Sequence, residues 1–168
     1  ITLDSVVSIE DMVKAAEKYY KWTDSLTPNK KEDGKALYGR DSVSNYIYIG
    51  AVQMGHPLFT IDKSGEVTMD LDKETFRKLW DNYYVPFIHG YFGANGNYRS
   101  DDAKTGYILC LTCSASAMAY FPTSVTLSDD NSHDIETEIR KPLNFKDAVS
   151  DVYVQQGAEY CVMNSTEQ

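Results

Sequence analysis

The sequence predicts an α/β chain with a mixed sheet flanked by helices, and three observations carry that prediction. Strand-like runs alternate with helix-like runs along most of the chain. Tyr107 to Leu111 is a nearly continuous apolar run after Gly106, as in a strand buried on both faces. Five small residues follow, Thr112, Cys113, Ser114, Ala115 and Ser116, and then a short helical composition from Ala117 to Phe121 that Pro122 stops. A buried strand, a small-residue turn and a helix start together leave backbone N–H groups free at an unobstructed turn, a common binding geometry.

The elements follow in order. Ser8-Ile-Glu-Asp11 resembles a capping box, and Ile9, Met12, Val13, Ala16 and Tyr20 recur at helical spacing, predicting a helix from Ile9 to Asp24. Thr27 to Gly34 is polar and reads as a loop. Ala36 to Tyr38 is a strand candidate; Gly39-Arg40-Asp41-Ser42 turns into a second helix, capped by Asp41 or Ser42 and closed by Gly55. Leu58 to Ile61 and Glu66 to Met69 flank Asp62-Lys-Ser-Gly65, a hairpin signal. Asp72 to His89 is the longest helical pattern, with Phe76, Leu79, Trp80, Tyr83 and Phe87 as its apolar stripe, and Pro86 ends or kinks it. Gly90 to Gly106 is a Gly/Asn/Asp-rich loop with one helical turn over Asp101 to Thr105. Val125 to Asp134 reads as polar loop, Ile135 to Ile139 as a strand, Pro142 to Ala148 as irregular, and Val152 to Val154 and Tyr160 to Val162 as strands.

Composition narrows the function classes. The chain has 168 residues, enough for one domain with a core. Its net charge of −9 argues against a nucleic-acid partner, which needs Lys/Arg clusters. No apolar run approaches the ~20 residues of a membrane span. Thirteen tyrosines suit amphipathic surfaces, sugar or peptide sites among them, although most such residues line a wet core boundary.

Each chemical constellation has a plainer explanation beside it. Cys110-Leu-Thr-Cys113 matches a redox spacing, but Cys110 falls inside the strand run and residues three apart on a strand face opposite sides; two small buried residues fit better. Cys161 sits in another apolar stretch and reads the same way. His56, His89 and His133 lack ligand spacing, and Asp101-Asp102 and Asp129-Asp130 lack the alternation of a calcium loop, so neither a metal nor another cofactor is expected. Ser114 or Ser116 is a conceivable nucleophile without a Gly-x-Ser-x-Gly elbow. A non-covalent site remains, built from the Arg40-Asp41-Ser42 turn and the Thr112 to Ser116 turn, because ligands of open α/β sheets sit beyond the carboxyl ends of strands. Asp41 is equally well a simple helix cap.

Several stretches, in this order, resemble the extracellular solute-binding proteins of ABC importers, family 1, and within it a Gram-positive, gut-bacterial branch. They are Asp33-Gly-Lys-Ala-Leu-Tyr-Gly-Arg-Asp41, Asn45-Tyr-Ile-Tyr-Ile-Gly-Ala51, Arg77-Lys-Leu-Trp-Asp-Asn-Tyr-Tyr-Val-Pro86, Gly90-Tyr-Phe92, Arg99-Ser-Asp-Asp-Ala-Lys-Thr-Gly106 and Val154-Gln-Gln-Gly-Ala158. The family includes maltose- and glycerol-3-phosphate-binding proteins, and its chains are longer, with two lobes hinged around a ligand cleft. The resemblance implies that this chain is one lobe of a type II periplasmic-binding-protein-like fold: 1–151 as most of the second lobe, and 152–168 as a hinge strand returning toward the first.

It further implies a non-enzymatic capture component, with a carbohydrate as solute or, alternatively, a polyol phosphate such as glycerol 3-phosphate. ABC permease subunits are the implied protein partner. The implied location is extracellular, at the cell surface through a lipid anchor on the full-length protein. A serine hydrolase or a surface adhesion module is the competing class. Implied ligand-binding residues are Arg40, Asp41, Ser42, Asn45, Thr112, Ser114, Ala115, Ser116 and Gln155. Ser and Ala stand where some members place a sugar-stacking aromatic, so Tyr91, Phe92, Tyr98 or Arg99 is expected to supply that contact.

Overall fold

In the computed structural model, which describes residues 2–154, the chain enters its first helix through Ser8. The Ser8 hydroxyl accepts from the Asp11 N–H at 3.1 Å and donates to the Asp11 carboxylate at 2.8 Å. Helix α1 (Ile9–Ser25) buries Ile9, Met12, Ala15 and Ala16, the stripe expected of an amphipathic helix. Strand β1 (Tyr38–Arg40) lies two residues beyond the Ala36–Tyr38 prediction. Ala36 and Leu37 are buried as the lead-in, and the Leu37 carbonyl already accepts from Leu109 and Cys110.

Helix α2 (Val43–Gln53) is capped by the Ser42 hydroxyl, and Gly55 at φ +84° turns the chain out of it. The predicted hairpin is present as β2 (Phe59–Ile61) and β3 (Val67–Met69), paired antiparallel. Its turn is held by the Asp62 carboxylate, which accepts from the N–H groups of Ser64 and Glu66.

Helix α3 (Lys73–Ile88) starts on an Asp72 cap and continues through Pro86 for two more residues. Pro86 sits in the last turn, and its carbonyl accepts from the N–H groups of Tyr91 and Phe92. The predicted apolar stripe divides. Leu79 is buried and Tyr83 half-buried, whereas Phe76, Trp80 and Phe87 are 39%, 48% and 39% exposed. The stripe covers more of the helix circumference than α1 and α2 can cover.

Helix α4 (Arg99–Lys104) precedes β4 (Cys110–Thr112). The run from Tyr107 to Leu111 is not buried on both faces: Ile108 is 1% exposed, but Leu109 is 55% and Tyr107 42%. Only one side of the run meets the core. A 3-10 helix spans Ala115–Tyr120, in place of an α-helical Ala117 to Phe121, and has no side-chain cap.

The stretch predicted as polar loop forms an antiparallel hairpin, β5 (Ser124–Ser128) and β6 (Asn131–Asp134). Conversely, Ile135 to Ile139 is not a strand; pairing ends at the Ile135 N–H on Thr123, and Ile139 is 65% exposed. Val152 to Val154 is irregular, and Tyr160 to Val162, with most of the 152–168 hinge segment, lies outside the described residues.

The architecture is mixed α/β with small sheets. In place of a single mixed sheet, the described residues form three two-stranded ones, of which β1–β4 is parallel. An isolated parallel bridge between Tyr38 and Phe92 lays Tyr91 to Gly93 along the other flank of β1. Met12, Ala16, Leu37, Tyr38 and Phe92 pack α1 onto this parallel unit. A second cluster, with Tyr46, Ala51, Leu58, Leu79 and Phe145, joins α2, α3 and the irregular 142–154 segment. Gly50 is needed there, since a Cβ would lie 2.5 Å from the Leu79 side chain.

Candidate functional site at the parallel strand ends

The parallel unit sets the geometry of the site. Arg40 and Thr112 are register partners, and the Asp41 N–H donates to the Thr112 carbonyl at 3.2 Å. On the other flank the Leu37 N–H donates to Tyr91 and the Gly93 N–H to Tyr38. All three segments run in one direction, so Arg40-Asp41-Ser42, the loop after Gly93, and Thr112-Cys113-Ser114 emerge at the same end. The connection leaving β1 returns to one flank and the next connection to the other. Such a reversal is where open α/β sheets bind ligands. Gly39 permits this close approach: a Cβ would stand 2.7 Å from the Gly93 carbonyl oxygen and 2.9 Å from Arg99 Cδ.

Arg99 organises the loop from beneath. Its side chain is 6% exposed and pairs at 2.6 Å with Asp102, which is 2% exposed. The guanidinium also donates to the carbonyls of Gly93 and Gly96, and the Asp102 carboxylate accepts from the N–H groups of Asn95 and Gly96. A buried pair this well saturated with hydrogen bonds recovers much of its desolvation cost. The Arg99 N–H in turn donates to the Asp41 carboxylate at 2.8 Å, and Arg99 Nε lies 4.0 Å from the same oxygen. The two capping alternatives are thereby resolved. Ser42 caps α2 through the Asn45 N–H at 3.2 Å, while Asp41 serves the N-terminus of α4, whose own preceding residue, Tyr98, gives no side-chain cap.

Arg40 is held differently. It is half-buried, its guanidinium lies 5.3 Å from the centre of the Tyr46 ring, and Nη1 reaches the Tyr38 hydroxyl at 3.5 Å. The Tyr38 hydroxyl donates to Thr112 Oγ1 at 2.8 Å, joining β1 to β4 through side chains. Tyr46 donates to the Leu79 carbonyl at 2.9 Å, and burial pushes its hydroxyl well above the ordinary tyrosine range. Tyr38, Arg40, Tyr46, Asn82, Tyr83 and Thr112 line a narrow cleft with an apolar floor. It holds about 10 Å³ of space for water, roughly one molecule. A broader depression of about 500 Å³ lies on the outer surface of α3. Of its lining residues Lys73, Glu74, Arg77, Lys78, Asp81 and Asn82, Arg77 pairs with Asp81, and Lys78 with Glu10 and Asp147.

The remaining predicted residues fall in three places. Ser114, Ala115 and Ser116 are exposed just past β4, and the two serine hydroxyls lie 2.8 Å from each other. Tyr98 stands at the rim, 66% exposed. Tyr91 is not with them: it sits level with the start of β1, against the rings of Tyr20 and His89. Gln155 and Cys161 lie outside the described residues. Burial raises the thiols of Cys110 and Cys113, the latter further raised by the Asp41 charge, which disfavours the thiolate of each. Sequence reasoning missed Tyr38, Tyr46, Asn82 and Tyr83. The one available signal was their position inside the stretches that carry the family resemblance, next to Arg40, Asn45 and Trp80.

Comparison of the chain with protein-family models, with curated proteins and with solved structures finds no match.

Proposed function

We propose that this chain is the substrate-capture lobe of an ABC-importer solute-binding protein, with a periplasmic-binding-protein-like fold and a carbohydrate as its solute. The observation that carries the reading is the convergence of three turns at one end of parallel segments. Hydroxyls, an amide and one cation surround a tyrosine-lined cleft there. Such groups suit a polyol, which offers many hydrogen-bonding positions and an apolar ring face. The cleft is shallow because its other wall belongs to a second lobe. Ligand held between the lobes stabilises the closed form by contacts available only there, and the closed form engages the permease.

A titration of isotope-labelled chain with a panel of mono- and oligosaccharides, read by amide chemical shifts, tests this. The expected result is weak, millimolar-range binding that moves the amides of Arg40 to Asn45 and Thr112 to Ser116. Shifts confined to other parts of the chain, or none with any sugar, contradict it. Labelling of Ser114 or Ser116 by a serine-reactive probe, abolished by Ser→Ala, points instead to a hydrolase.

A further inference from the structure

Helix α3 carries a second apolar stripe beside its buried one. At about 100° per residue, Phe76, Trp80, Tyr84, Phe87 and Ile88 fall within about 120° of one another, next to the face of Thr75, Leu79 and Pro86 that enters the core. All five are between 39% and 57% exposed, and the rings of Trp80 and Tyr84 pack on each other, 4.0 Å apart. Single exposed apolar residues are ordinary, but a contiguous row with four aromatics marks an interaction surface. At about 150–250 Å² for each aromatic side chain, these exposures leave roughly 400 Å² of apolar surface on one helix face.

The charges beside the stripe decide what covers it. On the same side of α3 the N-terminal half carries Lys73 and Arg77; the C-terminal half carries rings and the negative end of the helix dipole. A two-fold axis at Trp80 sets each half against the other. Phe76 then meets Tyr84 across the axis, Trp80 meets Trp80, and Lys73 and Arg77 meet the rings of Phe87 and Tyr84. Parallel pairing would set Lys73 on Lys73 and Arg77 on Arg77. The apolar side of the β2–β3 hairpin, with Phe59, Ile61, Val67 and Met69, is not self-complementary in this way: Asp62, Glu66 and Asp70 border it against the single cation Lys63.

We propose that the stripe is the seam of a two-fold dimer, in which α3 packs antiparallel on α3 of a second copy of this chain at a shallow crossing of about 20°. Two such faces, with the stems of Lys73 and Arg77, cover about 1,000 Å² in total, the lower edge of specific interfaces. The dimer is therefore weak, with a dissociation constant on the order of 10–100 µM. The net charge of −9 on each copy opposes the union and is largely screened at about 0.15 M salt. The pairing does not depend on the capture-lobe reading.

Sedimentation velocity of the chain between about 1 and 300 µM, in about 0.15 M salt, tests the dimer. The average mass is expected to rise with concentration toward twice that of one chain. Trp80→Glu, which sets two like charges on the axis, and Tyr84→Lys, which sets a third cation beside Lys73 and Arg77, are each expected to weaken association at least about tenfold. Ile61→Glu, on the hairpin, leaves it unchanged. Melting curves verify that each variant is folded; if Trp80→Glu is not, Tyr84→Lys decides. For orientation, Lys73→Cys and Ile88→Cys chains are mixed, oxidised and mapped by peptide analysis. The introduced thiols are expected to join Lys73→Cys chains to Ile88→Cys chains, since position 73 lies about 20 Å along the axis from its own copy. A chain that stays monomeric throughout, association undiminished in the folded α3 variants or abolished by Ile61→Glu, or Lys73→Cys chains joined to one another, overturns the proposal.

Discussion

Asp102 is a buried carboxylate whose removal leaves the buried Arg99 guanidinium only the 4.0 Å contact with Asp41 as counter-charge. Asp102→Ala leaves Arg99 without its 2.6 Å partner and frees the N–H groups of Asn95 and Gly96. Breaking one side of a buried pair costs about 3–5 kcal/mol. Urea unfolding of the variant against the parent chain is expected to show that loss, and a change below about 1 kcal/mol means that the pair is not holding the loop. The residues of this network were legible in the sequence, but their partnership was not. Arg99 and Asp41 are 58 positions apart, and no spacing rule connects them. Asp41 read as the cap of the helix that follows it, yet it serves a helix much further along the chain. Tyr38 and Tyr46 escaped notice for another reason. A tyrosine that lines a cleft and one that packs in a core have the same sequence signature, an apolar ring with a polar tip.

Helices and hairpins with strong local signals could be placed from sequence. The Ser8, Ser42 and Asp72 caps start α1, α2 and α3; Ser8 and Ser42 were legible as cap candidates, and Asp72 as the first residue of a helical pattern. The hairpin β5–β6 was invisible because only Val125 among its residues is buried, so no alternation of apolar and polar residues marks it. The opposite error occurred at Ile135 to Ile139, which alternates but pairs with no strand among the described residues. Burial therefore separates positions that hydrophobicity alone equates. Leu79 is 3% exposed in the cluster of α2 and α3, whereas Ile61 on β2 is 71% exposed. Leu79→Ala is expected to cost about 2–5 kcal/mol, and Ile61→Thr less than about 0.5 kcal/mol. Equal losses in chemical denaturation contradict this description of the core.

Across the whole molecule, charge ties the irregular 142–154 segment to the helices. Lys78 of α3 bridges Glu10 and Asp147 and Lys146 pairs with Asp11 of α1, while Lys141 and Asp151 pair across the irregular segment itself. The Asp147, Asp11 and Asp151 carboxyls are held below their usual range, first by hydrogen bonds from Lys78, Lys146 and Lys141 respectively. The Asp72 cap is likewise lowered by the Thr75 N–H. Each of these groups binds a proton less readily folded than unfolded. Their stabilisation is complete above the unfolded aspartate value of about 3.9 and drains away as pH falls through the lower folded values. Tyr46 works in the opposite sense: its raised value favours the folded state below about pH 10, an advantage lost as pH climbs further. Melting temperatures followed by circular dichroism are expected to be level near neutrality, to fall below about pH 4 and to fall again above about pH 10. A chain as heat-stable at pH 3 as at pH 6 contradicts the acid limb.

The position of β1 between its two parallel neighbours also governs the order of assembly. Tyr38 cannot meet Thr112 until 74 further residues have been made. At ordinary synthesis rates of about 5–20 residues per second, β1 waits on the order of seconds for its partner. During that interval its open edge and the apolar floor beside it are available to wrong pairings, and parallel pairing of distant segments is intrinsically slow. Folding yield during translation should therefore respond to synthesis speed between residues 40 and 112 more than to any single contact in the finished site.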